Sequence, residues 1–355
     1  NGGLTDARLF QGKDAILSGP AGGIVGGVRT SAQAGFNNII TFDMGGTSTD
    51  VAHFNGEYER AFETLVAGVR MRAPMMLIHT VAAGGGSMCV FDGSRYRVGP
   101  ESAGANPGPS CYRRGGPLTV TDCNVMLGKL QPEFFPHVFG VNQNQALDSD
   151  IVRQKFAKLG DNIRDKTGNN RLPVEVADGF LKIAVENMAN AIKRISVQRG
   201  YDVTEYALCC FGGAGGQHAC LVADALGMKK VVIHPFAGVL SAYGMGLADI
   251  RAMREKAVEV LLSDDVMRDV EVILDALVEA ARDEVLAQGV LEVRISVVRK
   301  VHLRYEGTDT ALEIDFADPK VMITAFEAAY QQRYGFTMFG KPFIIEAAAV
   351  EVIGT

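Results

Sequence analysis

Two carboxylates, Asp43 and Asp50, enclose the run Met44-Gly45-Gly46-Thr47-Ser48-Thr49. Ile39-Ile40-Thr41-Phe42 leads into it and Val51-Ala52 leads out. The pattern predicts a strand rising into Asp43, a tight loop, and a strand leaving at Asp50. Such a loop exposes backbone N–H groups and hydroxyls at one point between two acids. Amides and hydroxyls placed this way bond phosphate oxygens, and a neighbouring carboxylate holds hydrated Mg²⁺. The same residues also make an ordinary glycine-rich hairpin, and this stretch alone supports either.

A second candidate is Gly212-Gly213-Ala214-Gly215-Gly216-Gln217-His218. It follows the apolar run Tyr206 to Phe211, which predicts a buried strand, and precedes a helix through Leu226. Strand, glycine turn and helix aim a helix N-terminus at whatever lies over the turn, and an anion or nucleotide is the natural occupant. His218 lies in the first helical turn, either touching a ligand or simply satisfied there. A third set is His79, Cys111 and Asp122, each beside a turn. A histidine, a thiolate and a carboxylate can hold zinc or another transition metal. Equally, His79 can bond backbone, Cys111 can be core, and Asp122 can cap a helix to Leu130 after a strand at 118–120.

Other elements must position these groups. A helix is expected from Ser18, as N-cap, to about Gly35, with Ala21, Gly22, Gly23, Gly26 and Gly27 along it. Small residues in such number cost helix stability unless another backbone crosses closely. The stretch Ala237 to Ala248, with Gly238, Ala242, Gly244 and Gly246, is the expected partner. Asn55-Gly56, between Val51–Phe54 and Tyr58–Phe62, predicts a two-residue hairpin, and Asp92-Gly93 another. Gly99 to Tyr112 is too rich in glycine and proline for regular structure, which suggests a functional loop or lid. Helices are expected at about 150–159 and 174–198, the second with a core stripe of Ala177, Phe180, Ile183, Ala184, Met188 and Ile192. An amphipathic helix over 264–288, strands near 293–305 and 311–316, a helix over 318–334 and a strand over 343–352 form an α+β tail.

The 355 residues carry a formal charge of −6, with 47% hydrophobic and 21% charged residues. That balance argues against nucleic acid or an anionic membrane as partner. No apolar run reaches membrane-span length and nothing resembles a signal peptide. The cysteines form no C-x-x-C pair, so reduced thiols and a cytoplasmic location are expected. A P-loop, a dinucleotide fingerprint, H-E-x-x-H and G-x-S-x-G are all absent. The chain begins at Asn1 with residues that read like the inside of a domain, so a piece of a longer protein is expected.

Together these stretches resemble the actin/Hsp70/sugar-kinase ATPase superfamily and, within it, the hydantoinase A/5-oxoprolinase family. Phe42 to Val51 is similar to the superfamily's second phosphate motif, and Phe211 to Gly216 to its adenosine motif. Ser18 to Gly23 and Ala237 to Ala242 resemble the connecting helices at its hinge. The narrower likeness rests on His79-Thr80-Val81-Ala82-Ala83-Gly84-Gly85-Gly86-Ser87, Gly99 to Ala105, Pro107 to Tyr112 and Thr119-Val120-Thr121-Asp122. The fold implied is α/β, with an actin-like (ribonuclease H-like) ATPase domain over 1–250. It would hold the phosphate loop at 42–51, a loop-rich insert at 74–147 and the adenosine loop at 211–217. Residues 251–355 would begin a C-terminal α+β region.

The resemblance implies ATP-dependent hydrolysis of a cyclic amide, of the 5-oxoproline or hydantoin type, through a phosphorylated amide. ATP and Mg²⁺ would be cofactors. Gly45, Gly46, Thr47 and Thr49 would hold phosphate, Asp43 or Asp50 would orient Mg²⁺ or water, and Gly212, Gly213, Gly215 and Gly216 would hold the adenosine end. The loops carrying His79 and Asp122 would face substrate, with both residues as catalytic candidates. A hydantoinase B-type subunit and an N-terminal domain bearing a first phosphate loop are the implied partners, and without that domain weak activity is expected. Rival readings are a subunit of an ATP-dependent ketone carboxylase, a chaperone-like reactivating ATPase, and a domain kept for assembly.

Overall fold

The computed structural model describes residues 2–66 and 69–355, with the backbone alone for 62–66 and 69–73. In chain order the first elements are α1 (Gly12–Ala15), α2 (Ser18–Gln33), β1 (Ile39–Met44), β2 (Thr49–Phe54), β3 (Arg60–Val66), β4 (Val69–Met76) and β5 (His79–Val81). Then come β6 (Ser87–Phe91), β7 (Tyr96–Ser102), α3 (Val120–Met126), α4 (Ser149–Thr167), α5 (Pro173–Ile195), β8 (Ala207–Phe211), α6 (Ala219–Leu226), β9 (Lys230–Val232) and α7 (Leu240–Leu247). The chain ends with β10 (Ile250–Leu261), α8 (Met267–Ala287), β11 (Ile295–Tyr305), β12 (Leu312–Asp315), α9 (Pro319–Tyr334) and β13 (Phe343–Gly354).

The central sheet has the order β5-β2-β1-β8-β9. β1 is antiparallel to β2 and parallel to β8, and β8 is parallel to β9. β1 and β8 are apolar on both faces because helices cover both. Alternation along the strands sorts their side chains. Ile39, Cys209 and Phe211 pack with Ile24, Val25 and Val28 of α2. Ile40, Phe42, Met44, Leu208 and Cys210 join the larger core built on α5. The expected stripe of α5 is buried at Ala177, Phe180, Ala184, Met188 and Ile192, with Ile183 half-buried.

Helices α2 and α7 cross backbone to backbone, as their small residues predict. A Cβ at Gly244 would lie 2.0 Å from the Gly22 carbonyl oxygen, and one at Gly26 would lie 2.6 Å from that of Leu240. Only hydrogen fits at these positions. The cap differs from expectation: Leu17, at φ 58°, precedes the helix and Ser18 is its first residue. Pro20 is tolerated because the first N–H groups of a helix lack intrahelical acceptors anyway.

One hairpin and one helix start differ as well. The Asn55-Gly56 turn forms, but only the Phe54–Tyr58 bridge closes it, and β3 then pairs with β4 instead of β2. Asp122 does not start its helix. Thr119 caps α3 and Asp122 is its third residue, the two bonding reciprocally. No strand precedes it beyond an isolated Met88–Thr119 bridge. The tail is a four-stranded antiparallel sheet, β10-β13-β11-β12, with its own core against α8 and α9. Its charged face meets the first unit through Arg60, which grips Glu351 at 2.8 and 3.0 Å. Among the described residues no helix is long and apolar enough to cross a membrane.

Candidate active site

The β1–β2 register pairs Asp43 with Asp50 and Met44 with Thr49, leaving Gly45 to Ser48 as the connecting loop. The Gly45 amide closes it on the Ser48 carbonyl at 3.0 Å. No acceptor among the described residues takes the N–H of Gly46, Thr47 or Ser48. A Cβ at Gly46 would meet nothing within 4 Å. Three consecutive unpaired amides beside open space are donors of the kind that suit an anion.

A second glycine loop braces the first. Gly85 and Gly86 donate to the carbonyls of Gly45 and Gly46 at 3.1 and 2.6 Å. Gly84 lies so close that a Cβ would sit 2.5 Å from the Thr47 carbonyl carbon. Thr121, from α3, in turn donates its amide and its hydroxyl to the Gly85 carbonyl, each at 2.8 Å.

The third loop leaves β8 at the same edge, since Asp43 pairs with Phe211. In open α/β sheets ligands collect at the carboxyl ends of adjacent strands. Gly212, at φ +83°, passes so close that a Cβ would lie 2.4 Å from Asp43 Oδ1. Ala214 donates to the Met44 carbonyl at 2.9 Å, locking the turn to the end of β1. The amides of Gly213, Gly215 and Gly216 have no acceptor among the described residues. Gly213 and Gly216 also border open space.

Asp43 stands between the two loops. Burial, and then the charge of Asp50, push its carboxyl up to about 6. The Ser241 hydroxyl of α7 reaches its Oδ2 at 3.5 Å. Asp50 accepts from the Thr80 hydroxyl at 2.5 Å. Asp43 and Asp50, paired across the hairpin, offer the hard oxygen donors a divalent cation takes.

The remaining candidates lie elsewhere. Thr49 is fully buried and its hydroxyl donates to the Ala83 carbonyl, so it supports the loop from below. His79 neighbours Thr80 on β5, and strand alternation turns it to the opposite side. Burial and the charge of Arg194 lower its pKa. Asp122 is fully buried and accepts from the amides of Ser110, Cys111 and Thr119 at 2.8–3.0 Å, and from the Thr119 hydroxyl at 3.0 Å. It anchors the Gly-Pro loop. Burial and the neighbouring Asp122 charge push the Cys111 thiol far up, which keeps it protonated.

The expected His79–Cys111–Asp122 metal site therefore does not assemble. Among the described residues no three His, Cys, Asp or Glu side chains are grouped to hold a metal. His218 is fully buried, pushed down to about 4 by burial, with Nε2 against Asn124 Nδ2 at 3.1 Å. It is a packed histidine at the helix start.

Two cavities of about 560 and 550 Å³ lie away from the loops, one beside the N-terminal segment, α2 and β10, the other between the β6–β7 turn, α4 and α5. The unpaired amides and the acid pair, not a cavity, mark the candidate site. Sequence reading missed Thr80, Ser241 and Thr121. Thr80 and Ser241 lie within stretches singled out for their glycines and Thr121 beside Asp122, which was the available signal.

Residues 1–254 match the family model described as Hydantoinase/oxoprolinase. The chain is 42% identical over 369 residues to a 5-oxoprolinase of Dictyostelium discoideum, covering 99% of this chain and 29% of that protein. It is 35% identical over 284 residues to the caprolactamase subunit alpha of Pseudomonas jessenii, covering 78% of this chain and 39% of that one. The crystal structure of the ATP-dependent caprolactamase from that organism superposes with a TM-score of 0.86 at 28% identity, over 99% of this chain and 52% of that chain. A nucleotide-free acetone carboxylase shares the fold, with a TM-score of 0.66 at 24% identity over 96% of this chain and 50% of that chain. The chain thus spans under a third of the Dictyostelium relative and about half of the solved chains.

Proposed function

This chain belongs to the hydantoinase/oxoprolinase family, and from that premise we propose that it supplies nucleotide-binding loops to an ATP-dependent hydrolase of cyclic amides. The observation that carries the reading is the pairing of two sets of unpaired amides, at Gly46–Ser48 and at Gly213, Gly215 and Gly216, across the Asp43–Asp50 acid pair. We read the central sheet and its helices, residues 1–250, as an actin-like (ribonuclease H-like) ATPase domain. The phosphate loop lies at 42–51, the insert at 74–147 and the adenosine loop at 211–217, and residues 251–355 begin an α+β region. The mixed sheet order and the α2–α7 crossing support that reading.

In the mechanism we infer, the amides of Gly46, Thr47 and Ser48 bind phosphate oxygens, and those of the 212–216 turn orient the adenosine end. The terminal phosphoryl group passes to the amide oxygen, ADP leaves, and water adds to the activated carbon. The ring nitrogen then departs with a proton and leaves an acyl phosphate, which a second water hydrolyses to carboxylate and phosphate. Such transfer relies on positioning and charge neutralisation more than on covalent help from side chains. Mg²⁺ bound with the nucleotide would neutralise the phosphates, and Asp43 and Asp50 are the oxygen donors suited to hold it. Asp43 or Asp50 also orients the water. Substrate would lie near the loops at 79–87 and 101–112.

A companion of hydantoinase B type is proposed, in keeping with a relative named as a subunit. The free state of all six cysteines suits a reducing, cytoplasmic setting. The test is ATP hydrolysis by the native protein with 5-oxoproline, hydantoin, or acetone plus bicarbonate, with and without any companion subunit. Stimulation by a cyclic amide is expected. Stimulation by acetone and bicarbonate alone would favour a carboxylase, and no response to any small molecule would sink the enzyme readings.

A further inference from the structure

Helix α3 is short, yet it bonds to three of the loops the proposed reaction uses and reaches the 45–48 loop through one of them. At its start, Asp122 accepts from the amides of Ser110 and Cys111 and so fixes the Gly-Pro loop. One residue earlier, Thr121 holds the Gly85 carbonyl, and through Gly85 and Gly86 the carbonyls of the 45–48 loop. Two residues after Asp122, Asn124 reaches the third loop. It is fully buried. Its Nδ2 donates to Gln217 Oε1 at 2.7 Å and approaches His218 Nε2 at 3.1 Å.

Both hydrogens of the Asn124 amide are used in this way. Burial keeps His218 neutral, so its Nε2 accepts from Asn124 and the ring proton sits on Nδ1. A carboxamide that donates twice between a rigid helix and the end of a glycine turn fixes the turn's position relative to that helix. Oδ1 of Asn124 and Nδ1 of His218 are buried without a partner. Ordinary packing leaves few such groups, because each costs about 1–3 kcal/mol.

We propose that Asn124 is a positioning residue that couples the substrate loops to the nucleotide turn: a shift of the 103–112 loop moves α3, and Asn124 transmits it to Gln217 and His218. The inference rests on the proposed function above. It makes the occupancy of one site alter affinity at the other, reciprocally.

The experiment uses the native protein with any subunit that co-purifies. The affinity of a non-hydrolysable ATP analogue is measured by calorimetry, with and without saturating 5-oxoproline, hydantoin or ε-caprolactam. In the wild type a cyclic amide should change the analogue's Kd at least about fivefold. In Asn124→Leu, which keeps size but removes both donors, that ratio should fall to within about twofold of unity. A purely structural role would lower the melting temperature and leave the ratio in place. Gln217→Leu, at a half-buried position, should give a partial loss and carries the test if Asn124→Leu does not fold. Amide hydrogen exchange over 212–218 should respond to the cyclic amide in the wild type and not in the variants. Variants that keep the wild-type ratio overturn the coupling and leave the proposed function standing. So does a wild type that binds both ligands without mutual effect. Failure of every cyclic amide to bind overturns both.

Discussion

Glycine is concentrated in two regions, for opposite reasons. At the α2–α7 crossing, Gly22, Gly26 and Gly244 have no room: a side chain would run into the facing helix's backbone. At the loop edge, Gly46, Gly213 and Gly216 have nothing but room. One composition signal thus marks both close backbone packing and an open, amide-lined edge. At the crossing glycine serves the fold, and at the edge it leaves space for something the fold does not provide. Gly84 and Gly212 combine the two, pressed against Thr47 and against Asp43 and Met44 beside the open glycines.

The largest expected effect tests the packed region. Gly244→Ala would place a methyl group 2.0 Å from the Gly22 carbonyl oxygen and force the helices apart. A loss of about 3 kcal/mol or more is expected, at the upper end of overpacking costs. Gly246→Ala, in the same helix but facing open space, should be neutral or stabilise by up to ~1 kcal/mol. Urea unfolding of the two variants decides it. Equal effects would mean that the crossing is not close.

Asp43 lies where the regions meet, touched by Ser241 of α7 on one side and bordering Gly212 on the other. Its carboxyl is raised from 3.8 to about 6. A raised acid favours the protonated fold, so its contribution to stability is present near pH 4 and is lost as pH rises through 6. Asp43→Asn should remove that slope and leave the protein about 1–3 kcal/mol more stable than wild type at pH 7. Turnover should nevertheless fall about a hundredfold, the scale for losing one preorganised electrostatic group. Asp50→Asn should move the Asp43 titration to lower pH. Unfolding at pH 5 and 7.5 reads both. An Asn variant with the wild-type pH slope would remove Asp43 from the boundary role.

What the sequence revealed follows the range of the interactions. β1, β8, the glycine turn and α5 were legible because burial on one or both faces leaves a local pattern. The α2–α7 contact was legible because small residues have few other uses along a helix. β10 was not. Arg251, Arg254, Glu255, Lys256 and Glu259 hide its alternation, and their partners are remote, such as Glu351 for Arg251. Asp122 was read as a cap because Thr119 and Asp122 carry the same capping chemistry, and only geometry shows which one begins the helix. The proposed His79–Cys111–Asp122 grouping failed for a related reason: sequence spacing holds no information on tertiary distance. Asp43 and Asp50 were legible as a pair because a hairpin makes neighbours of residues close in sequence.

The smallest effect on stability is expected at the open edge, where the comparison is most exposed to failure. Gly46→Ala and Gly213→Ala place their methyl groups in free space. Neither glycine has a φ in the left-handed region. Folding free energy should therefore change by no more than about 0.5 kcal/mol. If the unpaired amides beside these positions receive phosphate and nucleotide, the methyl group occupies space the ligand needs. Affinity for an ATP analogue should then fall about tenfold or more, equivalent to ~1.4 kcal/mol. Gly35→Ala controls for backbone effects away from any loop of the site. It should lose stability, because Gly35 adopts φ +86°, and leave nucleotide affinity intact. Unchanged affinity in both edge variants would show that this opening is not where nucleotide binds. A stability loss matching that of Gly244→Ala would show that the edge is packed, and the two glycine regions would then share one cause.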